Sequence, residues 1–135
     1  MWHIFYRNAH GAFVIFDLTD LPTFDCARET IEEIRHYRSD DLFIMLIGTK
    51  SDSTSRRLIT YEQAITLAEK YGLLYMETSA LNGSNVEKSF ILLIKGILAN
   101  NTTRTINTRL SHLTNIATSS RQVSKGKMGV SCNIQ

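Results

Sequence analysis

Leu42-Phe43-Ile44-Met45-Leu46-Ile47-Gly48-Thr49-Lys50-Ser51-Asp52 is an apolar run that opens directly into a polar loop. Six apolar residues in a row, bounded by turn residues, fit a strand buried on both faces. Two further short runs read the same way, Ala12–Asp17 upstream and Leu73–Met76 downstream. Helical spacing separates the three. Phe24, Ala27, Ile31 and Ile34 recur at intervals of three and four, and Pro22 suits the first turn of their helix. Tyr61, Ala64, Ile65, Ala68 and Tyr71 mark a second helix. Thr60 and Gln63 form a capping-box pattern at its start, and Gly72 suits a left-handed end. Val86, Phe90, Leu93, Ile94 and Ile97 mark a third, with Ser84 and Glu87 repeating the box. The order β-α-β-α-β-α predicts an α/β fold with a parallel sheet and right-handed crossovers. Ligands of such sheets bind beyond the carboxyl ends of the strands.

The composition agrees with one folded domain. The chain has 135 residues, of which 43% are hydrophobic and 21% charged. Its two cysteines, Cys26 and Cys132, are too few for a disulfide framework or a Cys-based zinc site. His3, His10, His36 and His112 show no metal-ligand spacing, so no metal site is expected. No run approaches the ~18 apolar residues of a membrane span, and the first residues carry no long apolar segment of the secretory type. The cytoplasm is therefore the expected compartment. Charge is split along the chain. Residues 1–87 hold all 13 acids and 8 of the Lys/Arg, a net −5, whereas residues 88–135 hold 7 Lys/Arg and no acid. From about Ala99 the apolar period fails, and residues 100–135 read as a flexible basic tail with at most a weak turn at Ile106, Leu110 and Leu113.

Two loops leave consecutive parallel strands. One is Thr49-Lys50-Ser51-Asp52, the other Glu77-Thr78-Ser79-Ala80-Leu81. Their chemistry suits a guanine base. The Asp52 carboxylate can accept from guanine N1–H and its 2-amino group, two donors that adenine lacks, so a buried Asp52 would be left unpaired against adenine. The Lys50 stem can lie along the flat face of the base. The backbone N–H of Ala80 can donate to the 6-oxo group.

These stretches, with Tyr6-Arg7-Asn8-Ala9-His10-Gly11-Ala12, Phe16-Asp17-Leu18-Thr19 and Asn85-Val86-Glu87, resemble the Rab branch of the Ras-like small GTPases. The resemblance covers roughly residues 5–98. It implies a partial P-loop NTPase fold of the Ras-like kind over residues 1–99, with Thr49, Lys50, Asp52, Ser79, Ala80 and Leu81 binding guanine. It also implies a role in vesicle transport, with GTP or GDP as ligand and effector or escort proteins as partners. The family's P-loop, Gly-x-x-x-x-Gly-Lys-Ser/Thr, begins at none of the glycines 11, 48, 72, 83, 96, 126 and 129. No Asp-x-x-Gly occurs either, and the first switch has no candidate Thr. Against the family pattern the chain reads as the guanine-recognition half plus tail. No catalytic residue or Mg²⁺ ligand is expected in it, and GTP/GDP binding should be weak or absent. The alternative is a non-enzymatic, membrane-tethered interaction module, or a degenerate copy that binds no nucleotide. In the family the strand at residues 12–17 is central. Its outer edge, and the face of Phe90, Leu93, Ile94 and Ile97, are therefore expected to lack cover.

Cys132-Asn133-Ile134-Gln135 fits a prenylation signal of the farnesyl type. One prenyl chain binds membranes only marginally, so Arg121, Lys125 and Lys127 would supply the second signal. The expected location is the cytosolic face of endomembranes. No aromatic residue accompanies those charges, so nucleic acid is not an expected partner.

Overall fold

The computed structural model describes residues 8–37 and 42–123. Three strands, β1 (Gly11–Asp17), β2 (Phe43–Thr49) and β3 (Leu74–Glu77), form one sheet in the order β1-β2-β3. Both pairings are parallel, with Asp17 opposite Thr49 and Gly48 opposite Glu77. Each crossover is a helix: α1 (Leu21–Tyr37) between β1 and β2, α2 (Tyr61–Lys70) between β2 and β3. A third helix, α3 (Val86–Val123), follows β3. The α/β architecture expected from the three apolar runs is the one observed.

The central strand explains why its sequence does not alternate. Side chains alternate across a sheet, and both faces of β2 are covered. On one face Ile44 and Leu46 join Val14 and Phe16 of β1 in a core with Ala27, Ile31 and Ile34 of α1 and Ala64, Leu67 and Ala68 of α2. Burying side chains such as Ile31 and Leu46 is worth ~1.5–3 kcal/mol each. On the other face Met45 and Ile47 are buried as well, and α3 meets that side of the sheet at Phe43, where Gly96 lies against the ring. Phe90 meets Phe13 edge-on at 5.1 Å there.

Local chemistry sets the ends of α2. Thr60 accepts from the Gln63 N–H at 3.2 Å, and the Gln63 side chain accepts from the Thr60 N–H at 2.8 Å, completing the box expected from sequence. At the other end the Leu73 N–H reaches the Ala68 carbonyl and the Gly72 N–H reaches Glu69. This Schellman ending needs a left-handed residue, and Gly72 supplies it with φ of 63°.

Two expectations are corrected at α3. Ser84 does not cap it with Glu87. The helix starts at Val86, after a left-handed Asn85 (φ 57°), and the Ser84 carbonyl instead accepts from the Ser79 N–H at 3.1 Å. Nor does helical structure stop near Ala99; it runs to Val123, through much of the stretch read as flexible tail. The side chains of Asn101, Thr102, Thr103, Thr105 and Ile106 are exposed, so no buried face imposes an apolar period there. No Gly or Pro occurs between Ile97 and Lys125 to stop propagation, which is cheap once a helix is nucleated. The chain divides into two compact units, Met1–Asn100 and Asn101–Gln135. Among the described residues no helix is long and apolar enough to cross a membrane.

Candidate functional site

Parallel pairing brings the carboxyl ends of all three strands to one side of the sheet, where three loops leave. The loop after β2 turns immediately. Lys50 is left-handed, with φ of 61°, and its carbonyl accepts from the Ser53 N–H at 3.0 Å. Two backbone bonds lace this loop to the next: Thr78 N–H to the Gly48 carbonyl at 2.8 Å, and Ser51 N–H to the Thr78 carbonyl at 3.1 Å. Between them the Ser79 hydroxyl donates to the Asp52 carboxylate. Ser79 is fully buried, and its oxygen also accepts from the Leu81 N–H at 3.2 Å.

The six residues expected at the base play different parts. Asp52 is exposed rather than buried. The Ser79 hydroxyl holds its carboxyl below the ordinary Asp range, so at neutral pH it is an acceptor only. Lys50 is exposed too, and its ammonium lies 2.5 Å from the Asp17 carboxylate at the end of β1. Burial pushes the Asp17 carboxyl up, but Lys50 and the N–H and hydroxyl of Thr19 outweigh it and hold it low. The Thr49 hydroxyl donates to the Phe16 carbonyl at 2.9 Å, so it ties β2 to β1. Ala80 and Leu81 are exposed, and among the described residues no backbone carbonyl accepts from the Ala80 N–H. Cys132, Lys125 and Lys127 lie outside the described residues, and Arg121 falls within α3.

Sequence reasoning missed two features. The Asp17 anchor for Lys50 was legible in principle, since a parallel register sets the ends of β1 and β2 side by side. The other is a half-buried cluster around Glu77. Arg57 grips its carboxylate at 2.9 and 2.5 Å, and the Tyr75 hydroxyl donates to it at 2.8 Å. Burial pushes the Glu77 carboxyl up, but Arg57 and Tyr75 outweigh that and hold it below the ordinary Glu range. Burial and the Glu77 charge push the Tyr75 hydroxyl far up. Nothing in the spacing of residues 57, 75 and 77 signals this contact. Among the described residues no group of three or more His, Cys, Asp or Glu converges on a metal site.

A family model described as the Ras family matches residues 1–99. The Ras-related protein Rab-19 of Rattus norvegicus is 46% identical over 98 residues, 72% of this chain and 45% of that protein. Mouse Ras-related protein Rab-37 is 42% identical over 93 residues, 69% of this chain and 42% of that protein. Arabidopsis thaliana Ras-related protein RABD2a is 40% identical over 93 residues, 69% of this chain and 46% of that protein. The chain thus spans less than half the length of the curated relatives it matches. A parallel sheet with its loops gathered at the carboxyl edge, a family match over most of the chain and these relatives together show that the chain belongs to the Ras family, in its Rab branch of small GTPases.

Proposed function

We propose that the loops after β2 and β3 form the guanine-facing half of a Rab-type GTP-binding site, serving intracellular vesicle transport. The contact between Ser79 and Asp52 carries this reading, because it holds an ionised acceptor beside the exposed Ala80 N–H. Asp52 accepts from guanine N1–H and the 2-amino group, and Ala80 donates to the 6-oxo group. Adenine would set its N1 lone pair against the carboxylate, with no donor in return. Asp17 draws the Lys50 ammonium aside, leaving the apolar stem to cover the base. Thr49 acts on the strands rather than on the base. No hydrolytic step is assigned to these residues, and no step is routed through Mg²⁺.

Base contacts alone set the scale of affinity. About 11 heavy atoms at ~0.3 kcal/mol each give about −3 kcal/mol, which is millimolar or weaker. Amide NMR of the 135-residue chain titrated with millimolar GDP or ADP tests this. GDP is expected to shift Lys50, Ser51, Asp52, Ala80 and Leu81, and ADP to leave them in place. No response to GDP, or an equal response to ADP, would reject the pocket.

The basic carboxyl-terminal segment supplies the membrane side of the proposal. A prenyl group on Cys132 gives marginal binding, and Arg121, Lys125 and Lys127 add ~1 kcal/mol each against anionic headgroups. That places the protein on the cytosolic face of endomembranes, within reach of effector and escort proteins. Cys132→Ser should move it to the soluble fraction of cell extracts, and unchanged membrane association would count against the lipid.

A further inference from the structure

We infer that Arg57, Glu77 and Tyr75 form a positioning cluster that sets the separation of the two base-facing loops and so keeps Ser79 on Asp52. The inference rests on the pocket proposed above but acts at a distance from the base. Glu77 ends β3, two residues before Ser79, and Arg57 lies five residues beyond Asp52, after the 3₁₀ turn Thr54–Arg56. Their contact therefore joins the far end of one loop to the root of the other. The near ends are already joined by the Gly48–Thr78 and Ser51–Thr78 backbone bonds. Each loop is thus held at two points, with the Asp52–Ser79 contact between them.

Both the carboxylate and the backbone carbonyl of Glu77 are engaged. Its carboxylate takes both prongs of the Arg57 fork and the Tyr75 hydroxyl. Its backbone carbonyl accepts from the Asn85 side chain at 2.9 Å, at the entry to α3. Arg57 is fixed in turn, its Nε donating to the Ile59 carbonyl at 2.7 Å. A bidentate, charge-assisted fork is directional as well as strong, and with side-chain exposures of 27% and 18% the pair is shielded from competing water. Gly48 makes room for the third member: a Cβ there would come within 2.8 Å of the Tyr75 hydroxyl oxygen. Tyr75 is also stacked on Phe16, at 6.3 Å and 14° between planes.

The titration of the Asp52 carboxyl, followed by carbon-detected NMR in the full chain, reports the Ser79 contact without any nucleotide. In the native chain it should lie below the ordinary 3.8. Glu77→Gln is the decisive variant. Removing a negative charge acts directly to lower the Asp52 value, whereas losing the Ser79 contact raises it. An upward shift is expected in Glu77→Gln and in Arg57→Ala, with partial rescue in Arg57→Lys, which keeps the charge but not the fork. Ile31→Val, a core change on α1, should lower stability and leave Asp52 unmoved. If Arg57→Ala does not fold, Arg57→Lys and Tyr75→Phe serve in its place. An Asp52 titration unchanged in the folded variants overturns the inference. So does a GDP response that Glu77→Gln leaves intact. An Asp52 shift in a chain that never responds to GDP supports the cluster and rejects the pocket.

Discussion

Lys50 holds a left-handed backbone that costs a non-glycine residue ~1–2 kcal/mol, and the loop around it over-determines that conformation. The carbonyl of Lys50 is bonded to Ser53, its ammonium to Asp17, and the next residue to Thr78. Strain kept at such a position accompanies a stem aimed across the carboxyl edge. In the pocket proposed above, Asp52 is the residue that decides which base the edge accepts. Replacing Asp52→Asn turns one acceptor oxygen into a donor. The amide then mismatches the guanine 2-amino group but matches xanthine, which offers N1–H and a 2-oxo group. The expected outcome is loss of the GDP response with gain of a response to xanthosine diphosphate, read by the same amide shifts. Glu77 acts on stability as well as on the placing of the two loops. Its folded value lies below the ordinary 4.5, so the stabilisation is complete above about pH 4.5 and is lost as pH falls through the folded value. Melting temperature measured against pH should therefore drop on the acid side in the native chain. Glu77→Gln should melt lower at neutral pH and show a shallower acid drop. Parallel acid limbs in the two proteins would exclude Glu77 as a source of it.

The packing of α3 turns on one small residue. Gly96 lies against Phe43, and a Cβ built on it would sit 2.1 Å from the ring. Gly→Ala in a helix interior normally gains ~1 kcal/mol, while forced overpacking costs ~1–3 kcal/mol. The three atoms nearest that Cβ are all in the Phe43 ring, at 2.1, 2.2 and 2.5 Å, so ring or helix must shift, and the second term is expected to win. Gly96→Ala should destabilise the chain by about 1–2 kcal/mol in urea unfolding, and a stabilised variant would show that α3 is not seated on β2. The same helix shows what amphipathic spacing can and cannot report. Through Ile97 its apolar residues repeat at helical spacing, and Phe90, Leu93 and Ile97 meet β1. Beyond Asn100 the helix continues, and the side chains of Asn101, Thr102, Thr103, Thr105 and Ile106 are exposed, so burial selects no period among them.

At the scale of the whole molecule, β1 is an edge strand among the described residues, although its sequence is as apolar as the central strand's. Ile15, on the strand, is 58% exposed, and Phe90 and Ile94 on α3 are 54% and 55% exposed. The expectation of a partly uncovered face is met at Phe90 and Ile94, while Leu93 and Ile97 are partly covered by Gly11 of β1. An unpaired edge beside half-exposed apolar side chains favours association. The 135-residue chain, purified alone, is expected to bind a hydrophobic dye and elute above monomer size. A monodisperse monomer that leaves the dye dark would show that the edge and stripe are inert.

Most of the fold and part of the site are written locally. Unbroken apolar runs mark strands covered on both faces, and helical spacing marks the crossovers between them. Thr60, Gln63 and Gly72 state where α2 begins and ends, because capping depends on residues three or four apart and on a positive φ. The carboxyl edge follows from that order, so both loops were legible at Lys50, Asp52 and Ser79. Tertiary structure alone decided what those loops touch. Whether Asp52 is buried, whether Thr49 faces the base or the neighbouring strand, and whether Arg57 meets Glu77 twenty residues away all depend on how separate segments cross. Ser84 lost its capping role to such a crossing: the chain turns once more at Asn85, whose side chain is bound to the Glu77 carbonyl. Periodicity records burial and local spacing records backbone bonding. Contacts between distant side chains leave no spacing in the sequence, because only the packed sheet and helices bring them within reach.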